Sequence, residues 1–158
     1  MRLNKFLTLL TIPFLCACQQ IPEYNGPKLI LDYVEEGGLK EISPTQLYDI
    51  TISRGKDSVV LFSVEGCSSC EKTKNEMKSV AIGYHVNLYT VNMSAVEVNS
   101  DDYLYIVNST TYLDSLYRFP DPENATYPLV YFYKEKGIAL TRQSQITDAL
   151  RMYVSVSE

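Results

Sequence analysis

Val59-Val60-Leu61-Phe62-Ser63-Val64-Glu65-Gly66-Cys67-Ser68-Ser69-Cys70 is the stretch that decides the fold. Its first four residues are an unbroken apolar run between Asp57-Ser58 and Glu65-Gly66. Such a run predicts a strand buried on both faces, as in a parallel sheet covered by helices. After Cys70, the residues Met77, Val80 and Ala81 continue at helical spacing, while Lys72, Lys74, Glu76 and Lys78 fall elsewhere. Gly83 is expected to stop this helix. The cysteine pair, spaced C-x-x-C, therefore sits where a buried strand hands over to a helix.

That location has chemical consequences. A helix that begins at the motif turns its free backbone N–H groups and positive dipole end toward the first sulfur. The Cys67 thiolate is stabilised there, and its pKa is expected below that of a free thiol. Cys67 is expected at the exposed helix start as the nucleophile. Cys70, one turn further in, is expected to be sheltered and to resolve the mixed disulfide. Neither Ser68 nor Ser69 is charged, so the dipole must do most of the stabilising.

Outward from this centre the pattern alternates. On the N-terminal side, Leu39-Lys40-Glu41-Ile42 reads as a half-buried strand. Ser43-Pro44-Thr45-Gln46 combines an N-cap, a proline at the first helical position and a capping box. Leu47, Ile50 and Thr51 share one face of that helix, and Gly55 follows its end. On the C-terminal side, Val86 to Met93 reads as a strand. Ser100 to Tyr117 reads as a helix broken near Asn108 to Thr110, and Pro120, Pro122 and Asn124 as a loop. Leu129 to Tyr133, a turn at 134–137 and Ile138 to Leu140 form an antiparallel hairpin. Ile146, Ala149, Leu150 and Tyr153 mark a last amphipathic helix. The order is β-α-β-α-β-α-β-β-α, an α/β sandwich with a mixed sheet and helices on both faces.

The chain opens with Arg2 and Lys5, an apolar run from Phe6 to Leu15, then Leu15-Cys16-Ala17-Cys18. The run is too short to span a bilayer, which takes about 20 residues, and its flanks are those of an export signal. The last four residues resemble the bacterial lipobox. The resemblance implies cleavage before Cys18 and acylation of its thiol, with diacylglycerol and palmitate-like chains as a membrane anchor. The expected division is a signal at 1–17, the lipidated Cys18 and tether at 18–38, and one domain at 39–158, although Leu29 is an alternative domain start. Localisation is expected at the extracytoplasmic face of a membrane. The formal net charge of the 158 residues is −5, and losing Arg2 and Lys5 makes the mature chain more acidic. An acidic surface argues against a nucleic-acid partner.

Four cysteines are present. Cys16 leaves with the signal and Cys18 carries lipid, so Cys67 and Cys70 remain. The apolar strand, Glu65-Gly66, the C-x-x-C and the Lys-bearing helix resemble the thioredoxin superfamily. So does Thr126-Tyr127-Pro128-Leu129-Val130, which looks like that family's cis-proline element. The resemblance covers about Leu39 to Val154. It implies a three-layer thioredoxin-like sandwich and a cis bond before Pro128 facing the dithiol. It also implies a client site framed by Gly66, Ser68, Ser69, Tyr127 and Pro128. Three departures stand out. Gly66 replaces the usual Trp, Leu61 replaces the buried acid of the preceding strand, and Ser68-Ser69 matches neither reductases nor oxidases. The interval from Cys67 to Pro128 is also longer than in compact thioredoxins, with the excess expected between Ser94 and Pro120.

The expected activity is thiol–disulfide exchange on exported proteins, its direction open between reductase and isomerase, with no bound cofactor. Partners would be clients with thiols or disulfides and a membrane-embedded thiol carrier. The alternative is a redox-inactive thioredoxin-like binding lipoprotein. Structural zinc wants four ligands, and His85 is the lone histidine, expected far from the sulfurs. A purely structural Cys67–Cys70 disulfide would close too short a loop to stabilise much. Three Asn-x-Ser/Thr triplets, at Asn92, Asn108 and Asn124, are read as incidental. Tyr103, Tyr105, Tyr112 and Tyr117 are read as core. No Walker, G-x-S-x-G or H-E-x-x-H pattern occurs.

Overall fold

In the computed structural model, residues 28–110, 127–133, 138–140, 148–150 and 154–157 are described. Strands β1 (Leu29–Leu31) and β2 (Gly38–Glu41) lead into helix α1 (Pro44–Tyr48), which widens into a π-helical turn over Asp49–Ser53. Strand β3 (Ser58–Ser63), helix α2 (Ser68–Tyr84) and strand β4 (Asn87–Asn92) follow. A 3₁₀ turn (Met93–Ala95), helix α3 (Asp101–Thr110), and strands β5 (Leu129–Tyr133), β6 (Ile138–Leu140) and β7 (Val154–Val156) complete the order. Residues 148–150 are helical.

The five-stranded sheet runs β2-β4-β3-β5-β6. Strands β2, β4 and β3 are mutually parallel, while β5 and β6 are antiparallel to their neighbours. The apolar run behaves as its sequence dictates, since every residue of β3 is buried. Period-two alternation sorts its side chains. Val59 and Leu61 join Met77 and Ala81 of α2 and Ala149 and Leu150 on one face. Val60 and Phe62 join Leu47 of α1 and Ile106 of α3 on the other. The mixed sheet is thus flanked by helices on both faces, as expected. Full burial of each such side chain is worth about 1.5–3 kcal/mol, so β3 is the keel on which both layers rest.

The start of α1 follows the expected chemistry. Ser43 Oγ accepts from the Gln46 N–H (3.2 Å), the Gln46 side chain accepts from the Ser43 N–H (2.8 Å), and Pro44 takes the first helical turn. Beyond Tyr48 the helix widens. Arg54 N–H donates to Asp49 O, and the Thr51 hydroxyl bonds back to Leu47 O at 2.8 Å. Such back-bonding competes with the regular ladder. Gly55 then takes a left-handed φ of 57°, ending the segment as expected.

Three expectations need correction. The first concerns the tether, placed at 18–38 with the domain from 39. Leu29 and Leu31 are buried in the core of the α2 face, and β1 pairs in parallel with β7 as a separate two-stranded sheet. A domain start near Leu29, the alternative given by the sequence, is therefore the better description. The second concerns Gly83, which lies inside α2 and does not end it. His85 is the C-cap, with φ 53° and ψ 49°, and its N–H reaches Ala81 O and Ile82 O. The left-handed residue sits where the chain must turn into β4. The third concerns the chain end, where β7 follows the final helix. The expectations for residues 1–27, the end of the α3 region with Tyr112 and Tyr117, the loop at Pro120–Asn124, the 134–137 turn, Ile146 and Tyr153 lie outside the described residues.

Candidate active site

Strand β3 carries the chain to the carboxyl end of the parallel strands, and residues 64–66 turn it into α2. Gly66 takes a φ of 73°, a left-handed conformation that glycine adopts without penalty. A Cβ there would meet nothing within 4 Å, so the constraint is conformational and not one of space. Cys67 is the N-cap of α2, with φ −87° and ψ 102°. Its Sγ accepts the Cys70 N–H at 3.1 Å and lies 3.3 Å from Ser69 Oγ. The sulfur thus occupies the place a serine or aspartate oxygen fills in an ordinary helix cap. It receives an N–H and the positive end of a 17-residue helix.

The two sulfurs differ in access. Cys67 and Ser69 are half-buried and Ser68 is exposed, whereas Cys70 is fully buried. The pair forms a disulfide with its Cα atoms 5.2 Å apart. Exposed Glu71, also in the first turn, pairs with half-buried Lys74 at 2.9 Å.

The peptide bond between Tyr127 and Pro128 is cis, as expected. Leu129 pairs with Phe62 in antiparallel register. The cis bond is therefore at the sheet end from which the chain leaves β3 toward Cys67. Pro128 is buried, and half-buried Tyr127 packs against the core formed by Phe62, Val91 and Leu129. The structure brings Gly66, Cys67, Ser68, Ser69 and Cys70 together at one helix start and sets Tyr127-Pro128 at the same end of the sheet. Cys18 lies outside the described residues.

Among solved structures, the chain is similar to Malassezia sympodialis thioredoxin, with a TM-score of 0.51 and 17% identity over 75% of this chain and 92% of that one. The short form of thioredoxin f from spinach chloroplast gives a TM-score of 0.50 and 11% identity, covering 73% and 93% respectively. The fold is thioredoxin-like. No family model and no curated relative matches the sequence.

Within this thioredoxin-like frame, the local chemistry is the chain's own. Leu61 is fully buried among Met77, Val130 and Phe132 on the α2 side. Glu65, the nearest acid in sequence before Cys67, is exposed and accepts from Asn92 Nδ2 at 3.3 Å. Its backbone N–H donates to Ser94 Oγ at 2.8 Å. Asn92 and Ser94 thus hold the turn that presents Cys67. From sequence alone Asn92-Met93-Ser94 is read as an incidental triplet, although Asn at the start of a turn is itself a capping signal. Asn92 Oδ1 does accept from the Ser94 N–H at 3.0 Å.

His85 is structural. Its ring nitrogen Nδ1 lies 3.1 Å from Glu35 O, and the ring stacks on Tyr33 with centroids 5.4 Å apart. It caps the far end of α2 from the disulfide. Tyr105 meets the ring of Tyr48 at 5.5 Å, so this part of the tyrosine cluster joins α3 to α1.

Proposed function

We propose that the protein is a thiol–disulfide oxidoreductase that works outside the cytoplasm on exported proteins, held at a membrane by acyl chains on Cys18. A thioredoxin-like fold with a C-x-x-C disulfide at a helix start supports the activity in general. The observation that carries the reading is the asymmetry of the pair. Half-buried Cys67 receives a backbone N–H at its Sγ, while its partner Cys70 is fully buried. Export and anchoring rest on the sequence of residues 1–18.

In the reductive direction, the Cys67 thiolate attacks one sulfur of a client disulfide. A Cys67–client bond forms, the client S–S bond breaks, and one client sulfur leaves as thiolate. Cys70 then attacks Cys67 Sγ, forming the Cys67–Cys70 disulfide and releasing the second client thiol. Two electrons pass from the dithiol to the client. A membrane-embedded thiol carrier would return them, and no bound cofactor is required. Running the same steps backward oxidises a client, and the potential of the couple sets the direction.

Replacing Cys70 with Ser removes the resolving thiol. The variant should accumulate mixed disulfides with clients, visible on non-reducing gels and lost on adding reductant. Absence of adducts from a folded Cys70→Ser protein would refute the proposal. Cys18→Ser should move the protein from the membrane to the soluble fraction, and an unchanged distribution would refute the anchor.

A second reading, a binding lipoprotein without turnover, draws on buried Leu61, which leaves a hydrocarbon where the resembling family has a proton acceptor. It predicts that the Cys67→Ser, Cys70→Ser double variant captures the same partners as the native protein.

A further inference from the structure

We infer that a cleft beside the dithiol loop is a client subsite that takes a lysine or arginine side chain from the segment flanking the reacting cysteine. The inference rests on the oxidoreductase reading for the client that presents this segment. The cleft encloses about 310 Å³ where β2 and β4 end and α1 and α3 begin. Ile42, Pro44, Val91 and Val96 give it an apolar lining, and the exposed carboxylates of Glu41 and Asp102 stand at its rim. Among the described residues neither carboxylate has an ion-pair partner.

Position links the cleft to the chemistry. Its wall residue Asn92 is paired with Ser63, the last residue of β3, and bonds the carboxylate of Glu65, two residues before Cys67. Adjacent strands lie about 4.8 Å apart. The wall of the cleft at Asn92 thus adjoins the turn that leads from β3 to Cys67, and the long side chain flanking the client's cysteine is the group assigned to it. Lysine and arginine suit it on both counts, since their stems cover apolar surface while their heads stay at the polar rim. An acidic side chain would meet two unpaired carboxylates, with Glu65 close by.

The test uses two disulfide-linked peptides that differ only in Lys or Glu beside the reacting cysteine, with reduced Cys70→Ser protein. Mixed-disulfide formation should be about fivefold faster for the Lys peptide, the effect of two exposed charge pairs. The preference should vanish when Glu41→Gln and Asp102→Asn are added. It should persist with Glu35→Gln and Glu36→Gln, which change net charge equally at the opposite end of the sheet. A cysteine-free Lys peptide, followed by fluorescence anisotropy, should bind the native protein and lose affinity in the Glu41→Gln, Asp102→Asn variant. Equal rates for both peptides, or a preference abolished only by the Glu35 and Glu36 changes, would overturn the subsite. Binding of the cysteine-free peptide without adducts from either disulfide peptide would leave the subsite standing and refute the oxidoreductase reading. Neither binding nor adducts would refute both.

Discussion

Phe62 of β3 pairs with Leu129 of β5 in antiparallel register, and this pairing draws the two landmarks of the site to one end of the sheet. Phe62 lies just before the turn to Cys67, and Leu129 directly follows the cis Tyr127–Pro128 bond. Residues far apart in the chain thus share one surface because two fully buried strands must lie side by side. The chemistry depends on the keel of the fold.

That keel makes a first prediction at Leu61. Leu61→Asp should cost about 4 kcal/mol or more at pH 7, because it removes buried apolar area and inserts an unpaired carboxyl. Desolvation raises the carboxyl's pKa in the folded state above its unfolded value of about 3.9. The folded protein then holds a proton that the unfolded chain releases. The penalty is therefore smallest below the unfolded pKa and grows as pH rises toward the folded one. Urea unfolding at about pH 4.5 and pH 7 checks this, and a penalty independent of pH would contradict the burial of this position.

Adjacent glycines at the start of β2 should respond in opposite ways. A Cβ on Gly37 would run into the carbonyl oxygen of Ala81 and stand 2.8 Å from both N and O of Val86, whereas one on Gly38 would meet nothing within 4 Å. The obstacles at Gly37 are backbone atoms of the turn from α2 to β4, which cannot rotate away. Gly37→Ala should lose about 2 kcal/mol or more, and Gly38→Ala should change stability by less than about 1 kcal/mol. Thermal unfolding of the two variants side by side measures the contrast.

Tyrosine burial predicts an alkaline limit. Burial pushes the hydroxyls of Tyr131 and Tyr133 far above the ordinary tyrosine range, with the neighbouring Tyr131 adding to the effect at Tyr133. Burial raises half-buried Tyr89 as well. In the unfolded chain these groups ionise near pH 10. Stability from their neutral burial is fully present below about pH 10 and is lost as pH climbs from there toward their folded values. Tyrosinate absorbance should therefore rise in two stages, exposed rings first and the buried set together with loss of circular dichroism. One smooth titration of all tyrosines without unfolding would contradict the packing.

The legible parts of the sequence were those whose signal is local. Val59 to Phe62 announces a doubly buried strand, Ser43 to Gln46 a capped helix, and Cys67 to Cys70 a helix start. The illegible parts depend on distant partners or on conformations without a residue signature. Strand β1 is three residues long and alternates buried, exposed, buried. What fixes it is pairing with Val154–Val156 at the far end of the chain, reinforced by the Ser155 and Ser157 hydroxyls bonding Leu29 O and Leu31 O. His85, not Gly83, takes the left-handed cap, because the turn into β4 falls two residues later. At the site, the cysteines and Pro128 were readable, whereas the hold of Asn92 and Ser94 on Glu65 needs the register of β3 and β4.

The most direct test of the central claim is the reduction potential of the Cys67–Cys70 couple, set by equilibration in glutathione buffers and read by thiol alkylation. The expected result is a reversible couple between about −270 mV, as in thioredoxin, and about −120 mV, as in a strong oxidant, with its position fixing the direction of electron flow. A disulfide that resists every such buffer, as structural ones below about −300 mV do, or two thiols that never pair, would contradict it.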